Sequence, residues 1–177
     1  MLLAALLAIP AGALARFNRF ARPGKGIKVD AGQDRYGQPV KLGPNFNYCK
    51  VSAADTERDI AVFESVGNAR GGPPLHVHAA QDEIFCILEG AYLFQVGDEQ
   101  FEAKAGDTLF APRGVPHAFT RLGDEPGKML ITYQPAGLIE DFFKKSGAYQ
   151  QRPTPEEQAR LFEEHGMKIV GPRLPVK

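Results

Sequence analysis

The stretch Gly71–Gly90, GGPPLHVHAAQDEIFCILEG, constrains this chain more than any other. Its opening Gly and Pro pairs break regular structure and lead into an extended segment. His76 and His78 are two apart, so an extended backbone presents both imidazoles on one face. Glu83 follows the short connection AAQD and opens the apolar run IFCIL, where a bend aims its carboxylate at the same point. The sequence has only four histidines, and a third, His117, ends a second Gly/Pro-rich stretch, GDTLFAPRGVPH. A closed sheet places His117 opposite the first pair. Three imidazoles and a carboxylate suit one divalent transition metal, Fe(II), Mn, Ni, Co, Cu or Zn, without choosing among them. A coordination position left open makes such a site catalytic and not merely structural.

The remaining charges are placed more simply. His165, beside a helix end, is expected to be a surface or internally satisfied histidine. Asp82 is expected to be a solvated neighbour, Asp107 a turn support, and Asp98, Glu99 and Glu102 an exposed hairpin. Lys+Arg and Asp+Glu both number 21, so no net field draws nucleic acid or an anionic membrane. Cys49 and Cys86 do not make a disulfide framework; Cys86, in IFCIL, is expected to be a buried free thiol, with a bridge to Cys49 the alternative.

A chain of 177 residues with 19 Gly and 14 Pro favours one domain of short strands joined by turns. Residues 2–15, LLAALLAIPAGALA, are too short and too interrupted by Pro10 and Gly12 to span a bilayer. Ala13-Leu14-Ala15 resembles a signal-peptidase site, although no Lys or Arg precedes the run. Residues 1–21 are therefore either a signal peptide, giving a periplasmic or secreted protein starting near Arg16, or an N-terminal helix of a cytoplasmic one. Residues 22–135 carry a loop-rich arm and then strand-like segments from NFNYCKVS at 45–52 to KMLITYQ at 128–134. Residues 136–177 change character. GLIEDFFKK at 137–145 has helical spacing, Thr154 opens a capped helix that Gly166 stops, and the tail MKIVGPRLPV is expected to lie back along the strands.

His76, His78, Glu83 and Gly90, at steps of two, five and seven, resemble the first motif of the cupin superfamily, and Gly106, Pro112, Gly114 and His117 resemble its second. The resemblance covers roughly residues 45–135 and implies an all-β fold, a double-stranded β-helix or jelly-roll barrel, with the metal inside. Within that superfamily, the two stretches and the GPRLP tail are similar to bacterial single-domain cupins of the quercetin 2,3-dioxygenase type. That likeness implies a metal-dependent dioxygenase acting on a flavonol-like or enolisable aromatic substrate, with Glu83 as ligand and proton acceptor. It also implies a homodimer paired through sheet edges or exchanged strands. Phe85, Ile87, Phe94, Phe110, Phe119 and Tyr133 are the candidates for an apolar substrate pocket, against simple core packing for each.

Two positions depart from the motifs. Arg70 stands where the first often has Gly, and Arg121 stands where the second often ends in Asn. By alternation, His117, Phe119 and Arg121 share a face. Arg121 either reaches inward, to pair with a carboxylate or an acidic substrate group, or covers a strand end. Two further functions remain open: a cupin lyase or isomerase on a carbohydrate or organic acid, and a non-catalytic barrel that holds a small ligand.

Overall fold

The computed structural model describes residues 24–176; the export or helix alternatives for residues 1–21 fall outside them. The strands are β1 (Val40–Leu42), β2 (Asn45–Val51), β3 (Ala61–Gly67), β4 (Pro74–His78), β5 (Asp82–Glu89), β6 (Ala91–Val96), β7 (Glu99–Lys104), β8 (Thr108–Ala111), β9 (His117–Leu122), β10 (Gly127–Gln134) and β11 (Met167–Arg173). Helices α1 (Ile139–Ala148) and α2 (Pro155–Glu164) separate β10 from β11. The sheets run β1-β2-β3-β10-β5-β8 and β11-β4-β9-β6-β7, with antiparallel neighbours throughout. Facing each other, they form the expected jelly roll. Among the described residues no helix is long and apolar enough to cross a membrane.

Alternation decides what lies inside. Along β5, Glu83, Phe85 and Ile87 point inward, while Asp82, Ile84 and Cys86 point away. This parity overturns the expected burial of Cys86, which is half-buried; Cys49 is the buried thiol, and both are free. Burial, with Glu140 and Asp34 nearby, pushes the Cys49 pKa up to about 12, so this thiol stays protonated and inert. Ala53–Thr56 is a 3-10 turn capped by Ser52. Its N-terminus is tied to α1 by Glu140, which accepts from the Ser52 hydroxyl at 2.9 Å and from the Ala53 amide.

The C-terminal quarter closes one end of the barrel. In α1, Ile139, Phe142 and Phe143 are buried; in α2, Leu161 and Phe162 are. Each such side chain contributes about 1.5–3 kcal/mol on leaving water. The α2 start is a capping box, with the Glu157 amide donating to Thr154 Oγ1 at 3.2 Å and the Thr154 amide to Glu157 Oε2 at 2.8 Å. Gly166, at φ +77°, turns the chain back into β11. The tail is thus a strand that pairs with β4, from Met167 opposite His78 to Arg173 opposite Pro74.

Candidate metal centre

Three strands bring the donors together. On β4, Pro74, His76 and His78 form the inward row. On β9, His117 lies directly opposite His76. Glu83 begins the inward row of β5 and lies opposite Tyr133 of β10. All four side chains are buried, and one donor atom from each lies within 4.8 Å of the others. Glu83 Oε1 is 2.7 Å from His78 Nε2, 3.4 Å from His117 Nε2 and 4.0 Å from His76 Nε2.

The outer nitrogens fix the tautomers. His76 Nδ1 lies 2.9 Å from the Pro74 carbonyl, His117 Nδ1 3.0 Å from the Val115 carbonyl, and His78 Nδ1 2.7 Å from Gln81 Oε1. Each partner is an acceptor, so each Nδ1 carries the proton and donates it. The Nε2 atoms then turn lone pairs toward the carboxylate. His78 Nε2 and His117 Nε2 are buried without a hydrogen-bond partner among the described residues. A carboxylate 2.7 Å from an unprotonated nitrogen is repulsive unless a cation sits between them. The donor set therefore fits a divalent transition metal, its imidazoles held from behind in the usual way.

Titration follows the same geometry. Burial, then His117, pushes the His76 pKa down to about 3, so that ring is neutral. Burial opposes charge on His117 too, but Glu83 and the Val115 carbonyl outweigh it and raise its pKa. Burial alone would raise Glu83; the electrostatic influence of the neighbouring His78 and His117 rings outweighs it and holds the carboxyl well below the usual range. That direction suits a ligand. It runs against the proton-accepting role expected of Glu83, which needs a pKa moved toward neutrality.

Two supports were not legible in the sequence. Gln81 read as part of a connection; it is buried, and its Nε2 donates to the carbonyls of Pro135 and Ala136, each at 2.8 Å. It thus pins the His78 ring to the end of β10. Asp82 is more than a solvated neighbour. It accepts from Arg113 Nε at 3.0 Å, from Nη2 at 2.5 Å and from the Arg113 amide at 2.8 Å, locking the β8–β9 loop against β5. His165 is buried and satisfied, with Nδ1 2.6 Å from the Leu161 carbonyl and Nε2 3.0 Å from Asp141 Oδ2.

Beside the donors opens a cavity of about 820 Å³. His76, His78 and Glu83 form part of its wall; Met129, Ile131 and Tyr133 of β10 continue it toward Phe119 and Arg121 of β9. Phe142 and Phe162 of the two helices roof it, and the Phe162 ring stands edge-on to His76 at 5.4 Å. Of the expected pocket residues, Phe119, Arg121 and Tyr133 line this cavity. Phe85 and Phe94 are packed behind it in the core with Ile87, and Phe110 is 56% exposed on the outward face of β8. Gly72 lets the β3–β4 loop rest on β9: a Cβ there would overlap the Phe119 carbonyl.

Residues 64–133 match the cupin domain family. The barrel has the cupin fold. Over 67 residues it is 40% identical to the uncharacterized protein MJ1618 of Methanocaldococcus jannaschii, a match covering 38% of this chain and 54% of that one. The chain thus spans about half the length of this curated relative. Among solved structures, it resembles an RmlC-like cupin from Shewanella frigidimarina with a TM-score of 0.51 and 17% identity, covering 67% of this chain and 96% of that one. It also resembles KdgF from Halomonas sp., with a TM-score of 0.50 and 16% identity, covering 63% and 94%. At such identities the likeness is one of fold.

Proposed function

We propose that this cupin is a metal-dependent dioxygenase acting on an enolisable, flavonol-like small molecule. The supporting observation is the pair of buried, unpartnered Nε2 atoms of His78 and His117, facing one carboxylate at the wall of a ligand-sized cavity. His76, His78, Glu83 and His117 would hold the metal, which when bound would supply Lewis-acid chemistry and, for a redox-active ion, one-electron chemistry. The chain's own residues do the rest. Gln81 and the carbonyls of Pro74 and Val115 keep the imidazoles in the ligating tautomer. Tyr133 keeps its proton, because burial and then Glu83 raise its pKa well above the ordinary value. Its hydroxyl has no partner among the described residues, so it is a donor for an anionic oxygen held near the donors. Phe119, Ile131 and Phe162 exclude water from the reacting end.

The test is oxygen uptake by protein loaded separately with each candidate metal, against a panel of flavonols and β-diketones. Uptake with at least one pairing is expected; none at all would refute the proposal. Turnover without oxygen would point to a lyase or isomerase, and a ligand released unchanged to a binding protein.

A further inference from the structure

The chain is charge-balanced, with 21 basic and 21 acidic residues, but its cavity is not. Arg70, Arg121, Arg152 and Arg173 line it, against one carboxylate among the described lining residues, Glu83, which sits among the histidines. Arg70 is already paired, with Asp124 at 2.6 Å. Arg121 is different. It is only 3% exposed. Its Nε donates to the Ala69 carbonyl at 3.3 Å, and its Nη1 to the carbonyls of Gly123, at 3.1 Å, and Glu125. These carbonyls orient the guanidinium without cancelling its charge. Among the described residues no acidic side chain pairs with it, and Nη2, with two N–H donors, has no partner. A buried cation left so is costly unless an anion joins it.

The mouth adds to the field. Arg173 donates to the Gly72 carbonyl, and burial followed by the charge of Arg152 lowers its pKa, so these two cations face the same space. Between Arg121 and the donors run Phe119, Met129 and Ile131, an apolar wall. Met129 to Tyr133 is four strand residues, so the two ends lie on the order of 10–15 Å apart.

We propose that the cavity selects a carboxylate-bearing organic molecule roughly 10 Å long, its carboxylate held by Arg121 and its far end directed to the His76–His78–Glu83–His117 centre. The proposal narrows the substrate of the dioxygenase reading and rests on it only for the far end.

Binding without turnover tests it. The full chain, metal-free and zinc-loaded, is titrated calorimetrically with biphenyl-4-carboxylate and with its neutral counterpart, biphenyl-4-carboxamide. The acid is expected to bind at least about tenfold more tightly in both forms. Added salt reduces that preference, and Arg121→Met abolishes it. In the wild-type protein the Arg121 side-chain ¹⁵Nε signal shifts as the acid saturates, a readout that survives if Arg121→Met does not fold. Equal affinities, no binding of either probe, an unmoved Arg121 signal, or displacement of the acid by equimolar inorganic phosphate overturns the proposal. A dioxygenase reading that fails leaves the acid preference standing, and a lost preference leaves uptake with neutral flavonols to be scored separately.

Discussion

Replacing Gln81 with Leu separates the two tasks of that side chain. In the native protein its Oε1 accepts from His78 at 2.7 Å, and its Nε2 donates to Pro135 and Ala136 at 2.8 Å each. Leu has similar bulk, so the cavity left behind is small and the loss is polar. His78 Nδ1–H and two carbonyls are stranded in or near the interior. At about 1–3 kcal/mol for a fully buried orphan and less for a partly solvated one, the metal-free protein loses about 2–4 kcal/mol. Free of its anchor, the His78 ring can turn or change tautomer, and metal affinity falls about 10–100-fold. That is about 1.4–2.7 kcal/mol of binding. Urea unfolding of metal-free protein reads the first quantity, and competition against a chromophoric chelator reads the second. Gln81→Glu sharpens the test. Its carboxylate still accepts from His78 Nδ1 but cannot donate to both carbonyls, so affinity returns toward the wild-type value while stability does not. If Gln81→Leu binds metal as tightly as wild type, the ring is held by something else and the argument from tautomers is wrong.

Saturating metal at 100 times Kd should stabilise the protein by about 2.7 kcal/mol; His117→Ala should lose that increment, seen as an unfolding midpoint insensitive to chelator. Asp82 should give a low-pH signature. Hydrogen bonds from Arg113 lower its pKa from 3.8 to about 2. The pair therefore stabilises the fold above the unfolded-state value and loses that contribution as pH falls toward 2. Wild type should unfold later than Asp82→Asn above pH ~4, with the curves converging near pH ~2 in a thermal series. Gly72→Ala should cost about 1–3 kcal/mol by denaturant titration, because the new methyl meets the rigid backbone at Phe119.

The donors were legible because histidines are scarce here and because a spacing of two survives only in extended chain. The same parity, carried along β5 from Glu83, separates Phe85 and Ile87 from Cys86; composition of the run IFCIL alone had suggested a buried Cys86. Phe110 was misjudged for a related reason. It pairs with outward-facing Ile84, and an apolar side chain does not announce its face. Gln81 was hidden because its partners lie 54 and 55 residues away at a bend after β10. The helical spacing of α1 and α2 gave their apolar faces but not their partner. Nothing local says that Phe142 and Phe162 close over His76. Arg121 was seen to share a face with His117, but its want of a counter-charge depends on which loops meet it.

Pairing of β11 with β4 has a practical consequence for anyone trimming this chain. The segment matching the family, 64–133, omits β11, both helices, all of β1 and β2, and the first three residues of β3. Cut there, the histidine-bearing strand would become a bare margin, with amides free to recruit another molecule and the imidazoles open to water. The most recognisable portion of the sequence is therefore a poor minimal fragment, and tags or deletions at the C-terminus should be expected to disturb metal loading before they disturb the rest of the barrel.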